Sequence, residues 1–208
     1  MKRFHLNRSG SMAQGMTGQD QLKFDNVSCR RGGRILFESL GFVLGPGDAA
    51  VVSGPNGVGK SSLLRLASGL LEPASGSILR VGRVALADES LALDRHLPLG
   101  EALRFWAKMD GGNIEEALGL VSLDHLAEVP VRMLSTGQRK RATLARILAS
   151  RADIWLLDEP GNGLDSASLD SLSKMVATHR AHGGIVLAAS HQPLGIERVQ
   201  EIRLEGAR

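Results

Sequence analysis

At 208 residues, with 43% hydrophobic and 23% charged residues, the chain can bury one sizeable core and is too apolar to stay disordered throughout. Its formal charge of +3 is too small to argue for nucleic acid, and its single cysteine, Cys29, excludes an intramolecular disulfide and a cysteine metal cluster, which fits a reducing compartment. No apolar run approaches the roughly 20 residues of a membrane-spanning helix, so the chain is not expected to cross a bilayer by itself.

Residues 1–21 show no periodicity and are rich in Ser, Gly and Gln, so a flexible tail is expected there, with Met12 and Met16 as alternative starts. From residue 22 the strand-like pieces "LKFDNVSCR" and "RILFESLGFVL" lead through the turn Gly45-Pro46-Gly47-Asp48 to "AAVVS". A helical pattern follows with Leu63, Leu64, Leu66, Ala67 and Leu70 on one face, ended by Gly69, Pro73 and Gly76. Residues 83–150 read mostly as helix, and strand signals return only at "DIWLLDEP" and "GGIVLAASH". This order predicts an α/β fold with a mostly parallel sheet covered on both faces, and a helical block inserted between strands.

The stretch "VVSGPNGVGKSS" places Gly54, Pro55, Asn56, Gly57, Val58, Gly59, Lys60 and Ser61 in the spacing G-x-x-x-x-G-K-[ST], after an apolar strand and before a helix. Glycines there let successive backbone N–H groups turn toward one anion. Lys60 adds a point charge at the β- and γ-phosphates, Ser61 offers a hydroxyl to Mg²⁺, and Ser62 caps the same phosphate region. A glycine-rich turn that binds nothing has no need of Lys and Ser together at these places.

"IWLLDEP" has the continuous apolar character of a strand buried on both faces and ends in two acids, which are costly together unless something positive waits there. Asp158 is suited to hold Mg²⁺ through its water shell, and Glu159 to orient and deprotonate an attacking water. His191 follows the strand "IVLAAS" and is expected to emerge at the strand edge, where it can contact a γ-phosphate. "RMLSTGQRKR" at 132–141 reads as a capped helix whose first turn is basic, against the helix dipole. Either Arg139, Lys140 and Arg141 form a tolerated surface cluster or a negative group approaches.

With the cradle at 54–61, "LSTGQ" at 134–138, "LLDEP" at 156–160, "GLD" at 163–165 and "SH" at 190–191 in this order, residues 22–208 resemble an ATP-binding cassette (ABC) ATPase. The resemblance implies a P-loop NTPase core with an N-terminal antiparallel β portion and an inserted helical subdomain at about 83–150. It implies ATP and Mg²⁺ as ligands and a head-to-tail homodimer. Ser135, Gly137 and Gln138 would then face the ATP held on the second copy, with Asp165 running between the two sites and Arg139, Lys140 and Arg141 on solvent-facing or lobe-packing sides. More narrowly, "CRRGGRILFESLGF", "GPNGVGKSSLLRLASGLLEP", "LSTGQRKRATLARIL" and "AASHQ" are similar to the ATP-binding subunits of the bacterial haem exporters that serve cytochrome c maturation. That likeness implies membrane-spanning permease partners, peripheral association with the cytoplasmic face of the inner membrane, and no nucleic-acid partner.

The chain departs from the family pattern twice. No Gln occurs between Gln21 and Gln138, where the family carries a glutamine that senses Mg²⁺, and Asp88, Glu89 or Ser90 is expected to substitute. The adenine platform is usually aromatic, and here Arg31 stands at the matching place, where a guanidinium plane can stack on a base. Phe105, Trp106 and Met109 are expected in the core of the helical lobe, with a groove for a partner's coupling helix as the sharper reading. Transport of another small solute, and a cytosolic ABC ATPase acting on nucleic acid through "QRKRATLAR", are the competing functions.

Overall fold

The structure, a computed structural model, describes residues 20–88 and 92–205, so most of the expected tail, and Glu89 and Ser90, lie outside the described residues. Strands β1 (Gln21–Arg31) and β2 (Arg34–Leu44) form an antiparallel hairpin that turns at Gly32 and Gly33, and β4 (Ser75–Val81) adds antiparallel to the other side of β1. Leu22, Phe24, Val27 and Cys29 of β1 are buried, and Phe24 stacks on Phe42 at 4.5 Å between ring centres. The order of this small sheet is β2-β1-β4.

The second sheet is entirely parallel, in the order β5-β6-β7-β3-β8. Its members are β3 (Ala49–Ser53), β5 (Val84–Ala87), β6 (Ile154–Asp158), β7 (Ile185–Ala189) and β8 (Gln200–Arg203). Every residue of β6 and β7 is buried, as continuous apolar runs in a sheet covered on both faces require. Alternation along β6 divides the core. Ile154 and Leu156 face the cluster formed with helix α1 (Lys60–Ser68) and the antiparallel sheet, whereas Trp155 and Leu157 face the cluster that holds the other helices.

Those helices are α2 (Leu99–Asp110), α3 (Ile114–Leu120), α4 (Thr136–Ala149) and α5 (Ser166–Ala181). The first three pack on one another as a lobe, and α5 packs on β7. Each fully buried leucine along them, such as Leu99 or Leu103 of α2, stabilises the fold by about 1.5–3 kcal/mol relative to exposure.

Several expectations need correction. Leu70 lies beyond the end of α1 and is 72% exposed, and strands also form at Ser75–Val81 and Gln200–Arg203. The stretch 83–150 is not helical from its start, because Val84–Ala87 pairs in parallel with β6 and helix begins only at Leu99. Phe105 is not lobe core, because its side of α2 points outward and leaves it 60% exposed. Trp106, half-buried, donates from Nε1 to the Ala92 carbonyl at 2.9 Å and lies under the Arg146 guanidinium, 5.1 Å from the ring centre. The Met109 side chain lies outside the described residues.

Candidate functional site

Strand register assembles the site. Val52 of β3 and Asp158 of β6 both align with Ala189 of β7, so the three strands end side by side. The loop after β3, the acids after β6 and the histidine after β7 therefore meet at one sheet edge, the position where parallel sheets bind ligands.

The loop 54–59 has the shape of an anion cradle. Gly54 has φ +142°, and a Cβ there would lie 2.5 Å from the Leu204 carbonyl oxygen, so the loop needs both the conformation and the emptiness of glycine. Helix α1 starts at Lys60 with Gly59 as its cap, no side-chain capping bond and no acid in its first turn. Its N–H groups and its dipole are left for an anion. Lys60, buried to 8% exposure, folds its ammonium onto the loop and donates to the carbonyls of Gly54 at 2.9 Å and Pro55 at 3.4 Å. Pro55, Asn56, Gly57 and Ser61 are exposed, Ser62 is half-buried, and Val58 is buried with its N–H donating to the Pro55 carbonyl at 3.3 Å.

Asp158 is buried at 6% exposure at the end of β6. Glu159 turns the chain immediately afterwards with φ +46°, a left-handed conformation that costs a non-glycine residue roughly 1–2 kcal/mol. The surroundings hold it there: the Glu159 N–H donates to the Ala189 carbonyl at 2.8 Å, and its Oε2 lies 2.8 Å from His191 Nδ1. The exposed His191 ring is completed by Gln192, whose Nε2 lies 3.4 Å from His191 Nε2.

Ser135 and Gln138 stand at the start of α4, joined in a capping box. Gln138 N–H donates to Ser135 Oγ at 3.2 Å, and Ser135 N–H donates to Gln138 Oε1 at 2.8 Å. The serine keeps its own proton and the glutamine its amide hydrogens for an outside acceptor. Gly137 sits beside Gly163, whose carbonyl would be 3.6 Å from an added Cβ, so this helix start adjoins Asp165. Asp165 caps α5 by accepting from the Ser168 N–H at 2.8 Å, and its bonds with Ser168 hold its carboxyl below the usual range.

The three basic residues after Gln138 answer the question their charges raise. Arg139 donates to the Leu134 carbonyl at 2.8 Å and Arg141 to the Val121 carbonyl at 3.0 Å. Lys140 reaches the Asp158 carbonyl at 3.4 Å and so ties the start of α4 to the end of β6. Half-buried, it reaches the core and not the lobe alone, a contact the sequence did not suggest. The sequence signal was the basic run, and only the fold shows which member reaches the acids.

Arg31 lies exposed at the hairpin tip, opposite Arg34. Leu36 and Phe37 of the same hairpin close over Gly59, with the Leu36 side chain 3.1 Å from where a Cβ would be, so the hairpin borders the cradle. Asp88 follows β5 at the same edge and lies 4.0 Å from Arg65 of α1.

The sequence profile described as ABC transporter matches residues 37–162, more than half of the chain. The chain belongs to the ABC transporter family. It is therefore an ATPase, and ATP is its substrate. A cytochrome c biogenesis ATP-binding export protein CcmA of Zymomonas mobilis is 56% identical over 190 residues, covering 90% of this chain and 86% of that one. The protein of the same name from Sphingopyxis alaskensis is 54% identical over 184 residues, covering 87% and 95%. A solved ATP-binding subunit of an ABC transporter, 24% identical, superposes with a TM-score of 0.80 over 88% of this chain and 85% of that one, and shares the fold. Among the described residues, no helix of this ABC ATPase is long and apolar enough to cross a membrane.

Proposed function

We propose that this chain is the ATP-hydrolysing subunit of a bacterial ABC exporter that serves cytochrome c biogenesis and drives haem-related transfer through membrane-spanning permeases. The alignment of Val52, Ala189 and Asp158 carries the catalytic part of the reading, because it gathers phosphate cradle, acid pair and histidine at one edge. Identity above 50% across most of the chain with relatives named for cytochrome c biogenesis supports the transport part. The chain divides into a nucleotide-binding core and the helical lobe of α2, α3 and α4, and works as a peripheral protein on the cytoplasmic face of the inner membrane.

The backbone N–H groups of 54–59 and the first turn of α1 hold the β- and γ-phosphates. Lys60 exchanges the carbonyls of Gly54 and Pro55 for phosphate oxygens, and Ser62 closes the same region. Glu159 orients water for in-line attack on the γ-phosphorus and takes its proton at the carboxylate, while His191 fixes that carboxylate and contacts the γ-phosphate. Arg31 stacks on adenine and Asp88 stands in for the absent glutamine. On a second copy of the chain, Ser135, Gly137, Gln138 and Asp165 face the same nucleotide and complete the site.

A buried carboxylate at the end of β6 and a hydroxyl in the first turn of α1 are hard oxygen donors of the kind Mg²⁺ takes while keeping several waters, so Asp158 and Ser61 fit that ion. Bound there, the ion neutralises phosphate charge.

The test is to purify the chain with its membrane partners and measure ATPase activity with haem and with a haem-loaded chaperone. Stimulation by either supports the reading; a rate indifferent to both, in a complex that hydrolyses ATP, counts against haem and leaves the ATPase standing.

A further inference from the structure

A cleft of about 570 Å³ lies away from the cradle, between the helical lobe and the core wall. That is the size of a small-molecule site. One wall is apolar surface of the lobe, Ala117, Leu120 and Leu148, and the other is Trp155 and Met175. The Trp155 indole is held flat by His179, stacked on it at 3.9 Å between centres and 7° between planes. Around this apolar interior stand Arg151, Lys174 and His182, against the single carboxylate of Glu116. Arg151 and Lys174 have no carboxylate partner within salt-bridge distance among the described residues. Two cations without a carboxylate partner beside apolar walls, of which Trp155 shows 7% of its surface and has one ring face covered by His179, give the cleft a definite complement.

We propose that this cleft binds a small, flat, apolar molecule carrying an anionic group. The ring system lies against Trp155 and Met175, and the anion meets Arg151 and Lys174. None of the lining residues belongs to the cradle or the acid pair, so the site is separate from the nucleotide's.

A narrower furrow of about 200 Å³ continues from the cleft, sharing Leu120, Ser171 and Met175, and reaches Arg141 and Asp165. Cleft and furrow together are walled by α3, α4 and α5, and the last two are the helices capped by Ser135 and Asp165. An occupant bridging them fixes one helix start against the other and regulates how both meet a second copy. That regulatory consequence rests on the proposed function, whereas binding itself does not.

The probe is 1-anilinonaphthalene-8-sulfonate, compared with N-phenyl-1-naphthylamine, which has the same rings without the sulfonate. Both are titrated into the full chain without nucleotide, following probe emission in the parent. Tryptophan emission is followed in Trp106→Phe, where Trp155 is the only one of the two tryptophans left. The expected result is one saturable site that quenches Trp155, with the sulfonate bound at least about tenfold more tightly than the neutral probe. Arg151→Glu combined with Lys174→Glu removes that preference and leaves the neutral probe's affinity unchanged, and Lys60→Ala binds both probes like the parent. Equal affinity for the two probes, a preference that survives the double charge reversal, or loss of binding in Lys60→Ala would overturn the proposal. If Trp106→Phe does not fold, the parent titrations and the double variant decide alone.

Discussion

Glu159 and His191 are bonded to each other, so the proposed base is held in place by the fold and by its left-handed backbone together. Glu159→Gln keeps a group that bonds to His191 but cannot take a proton. Hydrolysis should fall by about 10²–10⁴-fold while ATP binding persists. With ATP and Mg²⁺ the variant should elute as a dimer on gel filtration, and a parent-like hydrolysis rate would show that another group serves as base. The cradle makes a second prediction at this scale. Gly54→Ala drives a methyl toward the Leu204 carbonyl and should cost roughly 1–3 kcal/mol, whereas Gly57→Ala, in open space with φ +77°, should cost about 1 kcal/mol. Urea denaturation of both proteins measures the difference, and equal losses would mean that the loop relaxes around the added atom.

At the scale of elements, α4 has two tasks that substitution can separate. Ser135 caps the helix and also keeps a proton to donate outward. Ser135→Ala should lose about 1 kcal/mol of stability together with ATPase activity. Ser135→Asp restores the cap but sets a negative charge toward phosphate, so stability should return and activity should not. An active Ser135→Asp would remove Ser135 from the nucleotide site. Lys140 links α4 to β6, and Lys140→Met should lower kcat by about fivefold with little change in KM for ATP, the effect of losing roughly 1 kcal/mol of support.

The elements also show where the sequence could be read. The cradle, the buried strands β6 and β7 and the capped start of α4 were legible because each carries a local pattern: glycine and lysine spacing, an unbroken apolar run, a serine three residues before a glutamine. Strands β5 and β8 were not, because each is four residues long, and "VALA" reads as well in a helix as in a strand. Their identity comes from neighbours, β6 for one and β3 for the other, that lie far away in the chain. The meeting of Lys140 with Asp158 was hidden for the same reason, since adjacency across a sheet edge leaves no spacing in sequence. Phe105 misled because its local pattern suits burial while its side of α2 faces outward.

For the whole molecule, His179 joins α5 to the central sheet. Its imidazole lies flat on Trp155, and its edge crowds Gly184 so closely that a Cβ there would be 2.2 Å from Nε2. Burial lowers its pKa from 6.5 to about 4. The unfolded chain therefore takes up a proton in that interval that the folded chain refuses, and stability should decline as pH falls from about 6.5 to about 4 and not change further from this residue below that. His179→Phe keeps a flat ring without the titration, so its urea midpoint should depend less on pH than the parent's between pH 7 and pH 4. Identical pH profiles would show that other groups govern acid sensitivity.

The strand order β5-β6-β7-β3-β8 sets a condition on synthesis. The cradle is made early, but β3 has β7 and β8 as its only sheet partners among the described residues, and Gly54 rests against Leu204. While the ribosome still holds the stretch that becomes β8, the loop meant for phosphate has a neighbour missing on one side. Folding of the central sheet therefore waits for β7 and β8, and a nascent chain stalled before β7 should carry the whole glycine-lysine loop and fail to retain ATP.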